Sequence, residues 1–237
     1  MLIMKLILLY LKYRDDYLTE NLTIASRQVP AAGCQLPAAF LIEMKFSLIL
    51  SIFELKQSMR KLENQELSRL SVEEFKQAGK MPITVVLDNV RSCNNVGSVF
   101  RTSDALLVSK ICLCGITATP PDKEIHKTAL GAENTVVWEY FSTTEEAVEI
   151  LRNEGYTIIA IEQVEGSISL NDYRPEPNEK LALIFGNEVR GVQQEVVTLC
   201  DKTIEIPQFG TKHSFNISVS AGIVLWDLFN KLKRTGS

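Results

Sequence analysis

From residue 83 onward, short runs of Val, Ile and Leu alternate with segments whose apolar residues recur at helical spacing, and this alternation restricts the chain to very few architectures. Residues 83–87, 110–114, 135–141, 156–161, 181–185 and 203–206 read as strands. Several are apolar throughout rather than at every second position, which is the pattern of strands buried on both faces of a parallel sheet. Between them, residues 96–107, 123–130, 189–200 and 216–233 carry helical spacing, and Thr143 or Thr144 is placed to cap a helix running to Asn153. In the last helix Ile217, Ala221, Leu225 and Leu228 form one stripe. The expected fold is α/β, a mostly parallel sheet with helices on both faces. Ligands in such sheets sit at the carboxyl ends of strands, and polar clusters follow three of them, at 88–101, 186–191 and 207–216.

Ahead of this domain, residues 59–78 have helical character, with Leu62, Leu67, Leu70 and Phe75 near one face and a capping-box pair at Ser71 and Glu74. The spacing predicts a helical lead-in over 59–80 and a main domain over 81–237. The apolar run at 1–12 contains Lys5 and is too short to span a bilayer. A second run at 39–55 is interrupted by Glu43 and Lys45. Residues 1–58 are expected to be an extension upstream of a start at Met59 or a poorly packed appendage; the alternative is an N-terminal helix pair. No membrane association is expected, and the location expected is cytoplasmic.

The formal net charge is −4, so the chain is no polycation, and contact with nucleic acid must come from a local basic patch. The five cysteines are odd in number and scattered, which suggests no disulfide framework. Cys112 and Cys114 share a strand face and read as buried thiols. With only two histidines, His126 and His213, no metal site is expected.

The first polar cluster holds Asn95, Gly97 and Arg101. Asn95 is expected at a helix cap, Gly97 permits close backbone approach, and Arg101 projects from the helix. The plain alternatives are a simple cap and a surface cation. The second cluster holds Gly186, Glu188, Arg190 and Gly191. Here a strand ends at a glycine that lets a flat ligand approach, and a helix is expected to begin near Glu188, offering free N–H donors. The plain alternative for Glu188 is an acid favoured by a helix start. The Lys-Ser/Thr ending of a phosphate loop and the three-glycine spacing of a dinucleotide fingerprint are both missing. The third cluster, Ile206-Pro207-Gln208-Phe209-Gly210 followed by Ser214-Phe215-Asn216, breaks a strand at Pro207 and opens the last helix. Ser214 as a cap and Lys212 and His213 as exposed loop residues are its plain alternatives.

Taken in order, the clusters resemble the signatures of the SpoU/TrmH branch of the SPOUT methyltransferase superfamily. N-x-G-x-x-x-R is matched by Asn95, Gly97 and Arg101; G-x-E-x-x-G by Gly186, Glu188 and Gly191; and I-P-x-x-G with S-x-N-x-S by Ile206, Pro207, Gly210, Ser214, Asn216 and Ser218. Gln208 stands where the family often has methionine, and Phe215 where it often has leucine.

The resemblance implies a C-terminal trefoil knot, a rare exception to unknotted topology. It also implies a homodimer with the site at the subunit interface, S-adenosylmethionine as methyl donor, no metal, and transfer to a ribose 2′-hydroxyl of tRNA or rRNA. On that reading Arg101 polarises the hydroxyl, Glu188 orients Arg101, Ser214 and Asn216 hold the ribose or Arg101, and Asn95 shapes its loop. Gly186, Gly191, Ile206, Gln208 and Phe215 contact the cofactor. Arg91, Lys123, Lys127, Arg190 and Lys212 are the cations available to RNA phosphates, each with a solvated surface charge as its plain alternative. Two rival functions stay open: a catalytically silent RNA-binding module, and a base-nitrogen methyltransferase of the same superfamily.

Overall fold

A computed structural model describes residues 60–235 of the chain. The expectations for residues 1–58, and for Cys34, lie outside the described residues. The chain divides into two units, Met1–Ser68 and Arg69–Ser237. In the described part of the first, a 3-10 turn at Asn64–Glu66 carries an ion pair between Arg60 and Glu66.

The second unit opens with a short helix, α1 (Val72–Gln77), held by the expected box: Ser71 Oγ accepts from the Glu74 amide, and the Glu74 carboxylate accepts from the Ser71 amide. Then follow β1 (Met81–Asp88), α2 (Cys93–Ala105), β2 (Val108–Cys114), α3 (Lys123–Ala129), β3 (Trp138–Phe141), α4 (Thr144–Asn153), β4 (Thr157–Ile161), β5 (Ile168–Ser169), β6 (Leu181–Phe185), α5 (Gln194–Leu199), β7 (Lys202–Glu205) and α6 (Ile217–Thr235). Thr143 caps α4, as its spacing suggested.

The strands form one sheet in the order β3–β2–β1–β6–β4–β7–β5, and every neighbouring pair is parallel. Alternate residues of each strand feed opposite faces. Leu181, Leu183 and Phe185 of β6 join Val85 and Leu87 of β1 in a core that also takes Val99 and Phe100 of α2 and Ala221, Val224, Leu225 and Leu228 of α6. Ala182 and Ile184 join Val86, Cys112 and Cys114 in a second core closed by Ala147, Val148 and Leu151 of α4 and Val196 of α5. Helices therefore cover both faces, and the apolar strand runs are explained by burial on both sides.

Burial also settles the thiols. Cys112 is pushed up to about 12 by loss of solvent, and Cys114 is raised for the same first reason. Among the described residues Cys93, Cys112, Cys114 and Cys200 are all free, and no cluster suited to a metal ion occurs.

Several expected boundaries change. In the lead-in expected to be helical over 59–80, only Asn64–Glu66 and Val72–Gln77 are helical among the described residues. Residues 135–137 lie outside β3, because the Thr135 hydroxyl is held by Asp104 and by the Ala132 carbonyl. Between the expected strands at 156–161 and 181–185 lies a further short strand, β5, that the sequence reading did not include. The helix expected over 189–200 begins only at Gln194, for reasons that belong to the site.

Candidate active site

The carboxyl ends of β4, β6 and β7 open on a cavity of about 320 Å³, closed on its other side by the start of α6. Its lining contains Glu162 and Gln163 after β4, the stretch 185–191 at the end of β6, Glu205, Ile206 and Gln208 from β7 onward, and His213, Ser214, Phe215, Ile217 and Ser220. This volume lies in the range of small-molecule sites.

The end of β6 does not run into a helix. Asn187 and Gly191 exchange backbone hydrogen bonds of 2.9 Å in both directions. Within the loop so formed, Asn187 Oδ1 accepts from the amides of Val189 (2.9 Å) and Arg190 (3.3 Å). Gly191 has φ +67°, a conformation that L side chains rarely adopt. Side-chain capture of these amides by asparagine competes with helix formation, which is why α5 starts three residues after Gly191. Glu188 therefore sits on a loop and not at a helix start. Gly186 is also explained differently from the expected flat-ligand approach. A Cβ placed there would lie 2.0 Å from the Gly191 carbonyl carbon and 2.1 Å from the Val192 amide nitrogen, so the space is filled by the chain itself.

Glu188 is where the first two clusters meet. Its Oε2 accepts from the Arg91 amide (3.2 Å), and its Oε1 accepts from the Ser92 amide (3.1 Å) and from Asn95 Nδ2 (3.1 Å). Burial by itself would raise this carboxyl, but the hydrogen bonds it accepts outweigh that and hold it below the usual carboxylate range. Asn95 in turn accepts at Oδ1 from Asn216 Nδ2 (3.2 Å). Asn216 Oδ1 accepts from the Ser218 amide (2.9 Å) and hydroxyl (2.7 Å), which caps α6. A continuous chain, Glu188–Asn95–Asn216, thus joins all three clusters at the rim of the cavity.

Two expected roles are corrected by this geometry. The cap of α2 is Ser92, whose Oγ accepts from the Asn95 amide at 3.3 Å, and Asn95 lies inside the first turn with its side chain free to bridge Glu188 and Asn216. The expected hydrogen bond from Arg101 to Glu188 is replaced by the three donors of the 91–95 segment. Arg101 lies on an exposed stripe of α2 with Asn94 and Ala105, and its guanidinium makes no hydrogen bond or ion pair among the described residues.

Of the expected cofactor contacts, Gly186, Gly191, Ile206, Gln208 and Phe215 all line the cavity, as do Glu188 and Ser214. Of the expected RNA contacts, Arg190 lines it and Lys212 stands exposed on its rim loop. Arg91 is exposed beside Glu188, while Lys123 and Lys127 are exposed on α3, Lys127 with Glu124 at 3.6 Å. Gly97 packs α2 on α3: a Cβ there would meet Thr128 Oγ1 at 2.2 Å and the Ile125 carbonyl at 2.3 Å. Glu162, Gln163, Glu205 and His213 line the cavity without having been singled out as contacts. The rule that ligands sit at strand carboxyl ends pointed to the first three, since they end or follow β4 and β7.

A parallel sheet between two helical layers, with a cavity of this size at three strand ends, defines the class: an α/β domain with a small-molecule-sized cavity at the sheet's carboxyl edge. The sequence profile of the SpoU rRNA Methylase family matches residues 82–226, and the chain belongs to that family. A tRNA (guanosine(18)-2′-O)-methyltransferase of Thermus thermophilus is 29% identical over 175 residues, spanning 73% of this chain and 88% of the relative. The crystal structure of the A. aeolicus TrmH/SpoU tRNA modifying enzyme superposes with a TM-score of 0.62 at 24% identity, covering 70% of this chain and 84% of that one. An AdoMet-bound rRNA methyltransferase from Sinorhizobium meliloti superposes at 0.60 with 26% identity, covering 67% and 60%.

Proposed function

We propose that the cavity binds S-adenosylmethionine and that the chain transfers its methyl group to a ribose 2′-hydroxyl of tRNA or rRNA. The observation that carries this reading is the Glu188–Asn95–Asn216 hydrogen-bond chain, which draws three distant polar clusters to the rim of one cavity. The lining suits the donor. Glu188 and Glu205 line a cavity proposed for a molecule whose sulfonium and ammonium give it net positive charge. Bound there, S-adenosylmethionine supplies a methyl group already activated by the charge on sulfur. The catalytic work left to the chain is positioning and stabilisation of the charge developing on the attacking oxygen. Arg101 is the candidate for that stabilisation, and Ser214 lines the cavity where a ribose hydroxyl can be held. Glu188 acts at one remove, fixing the start of α2 and hence the helix that carries Arg101.

Arg101 does not reach the cavity lining of its own subunit, which supports a homodimer in which it completes the partner's site. The face available for such a contact is on α6, where Val219 and Trp226 are 48% and 58% exposed and Gly222 between them has nothing within 4 Å of a built Cβ. The trefoil knot belongs to the same proposal, supported by the insertion of β7 between β4 and β5, both of which precede it in the chain. Among the described residues no helix is long and apolar enough to cross a membrane. RNA phosphates are assigned to Arg91, Arg190, Lys212, Lys123 and Lys127.

Incubation with methyl-labelled S-adenosylmethionine and total RNA, followed by nucleoside analysis, tests the reading. The expected product is a 2′-O-methylated nucleoside. A base-methylated nucleoside would transfer the reading to a base-nitrogen enzyme, and RNA binding with no incorporated label would leave a silent module.

A further inference from the structure

The loop that ends β6 is gripped from both flanking strands. In the sheet β6 lies between β1 and β4. Asp88, the last residue of β1, is fully buried and accepts from the Gln193 amide at 3.0 Å through Oδ2. Glu162, the first residue after β4, accepts from the Val192 amide at 3.0 Å through Oε2, and from the Gln163 amide at 2.9 Å through Oε1. Two consecutive amides at the exit of the loop are thus captured by two carboxylates reaching in from opposite sides. The fit at Glu162 is tight: a Cβ on Gly191 would lie 2.1 Å from Glu162 Oε2. Asp88 is buried away from the cavity, whereas Glu162 lines it.

From this we infer that Glu162, outside all three sequence clusters, is a positioning residue for cofactor binding: its carboxylate sets the Gly186–Gly191 backbone against which the cofactor lies. The inference rests on the cavity being the S-adenosylmethionine site. The physical reason is acceptor count. A carboxylate offers an oxygen to each of the Gln163 and Val192 amides, whereas an amide side chain offers one oxygen to the two and turns an N–H against the other.

The test titrates S-adenosylmethionine into the full chain by calorimetry and follows amide exchange over residues 187–192 in the ligand-free protein. Glu162→Gln is expected to weaken cofactor binding about tenfold, the equivalent of one lost charge-assisted hydrogen bond, and to speed exchange at Val192. In methyl transfer the loss is expected mainly in the KM for the cofactor rather than in kcat, because no reacting group is touched. In a Gly191→Ala background the carboxylate is already displaced, so adding Glu162→Gln should weaken binding by less than about a further twofold. Unchanged affinity and exchange in Glu162→Gln, or losses that multiply in the double variant, would overturn the inference. A wild-type protein that binds no S-adenosylmethionine would sink the functional reading alone, since the exchange measurement reads the grip on the loop without ligand.

Discussion

Gly186→Ala separates two explanations of the same glycine: room for a ligand, or room for the chain itself. The added Cβ would sit 2.0 Å from the Gly191 carbonyl carbon, 1.4 Å inside the 3.4 Å at which ordinary contact begins (3.4 − 2.0), and 2.3 Å from the Gly191 oxygen. The obstacle is backbone and cannot swing aside as a flexible side chain can. That backbone is tied by the Asn187–Gly191 pair, by Glu162 and by Asp88, so relief of the overlap means breaking at least one of those bonds. Overpacking typically costs 1–3 kcal/mol, and an obstacle this constrained places the variant near the upper end, at about 3 kcal/mol. For a domain of this size that corresponds to a fall in Tm of roughly 6–12 °C. Gly210→Ala is the matched control, because nothing lies within 4 Å of a Cβ at that position and its backbone is not left-handed. Calorimetric unfolding of both variants, with S-adenosylmethionine titration, makes the comparison. The packing account requires Gly186→Ala to lose both stability and affinity while Gly210→Ala loses neither. A Gly186→Ala protein that melts with wild type but no longer binds the cofactor would refute it and restore ligand approach as the reason for the glycine.

Other perturbations address the remaining parts of the site. Glu188→Gln leaves one acceptor oxygen for three donors and should cost about 1 kcal/mol after allowance for solvent screening. Because the folded-state pKa of Glu188 is depressed from 4.5, that contribution is present above 4.5 and is lost as pH falls through the lower folded value, so the Tm gap between variant and wild type should close in acid; a gap constant with pH would contradict the assignment. Arg101→Ala should lower single-turnover methyl transfer roughly 100-fold or more while leaving cofactor affinity unchanged, and full turnover would remove Arg101 from the chemistry. Trp226→Glu places a charge on the exposed stripe of α6 and should shift the protein toward monomer in sedimentation analysis; an unchanged oligomeric state would clear that face of the role. Native alkylation should spare Cys112, pushed up to about 12 by burial, and Cys114 until the protein unfolds, and rapid labelling of either would show that the second core opens.

How far the sequence disclosed this molecule depended on the kind of contact each residue makes. The strands were legible because burial on both sheet faces leaves a run with no polar gap, as at Leu181–Phe185, and that signal is local. Caps with a partner three residues away, Ser71 with Glu74 and Thr143 with Glu146, were legible for the same reason. Asn95 was misplaced to a cap because asparagine is chemically competent there; the carboxylate of Glu188, 93 positions away, and the amide of Asn216 draw its side chain elsewhere. The helix expected over 189–200 failed because Asn187 and the left-handed Gly191 close a loop first. The position of Glu162 at a strand end was readable, but its hold on the loop after β6 was not, for a stronger reason. Its partner amide lies 30 positions later, and the two meet only because β4 neighbours β6 in the sheet, an order set by crossovers that no window of sequence contains. The motif glycines carry the same lesson. The first two, Gly97 and Gly186, admit another stretch of the protein's own chain, and only Gly210 has open space beside it. A spacing pattern therefore marks where backbone must come close without saying to what, and a glycine is assigned to a ligand only after the chain's own atoms have been excluded from the space a Cβ would fill.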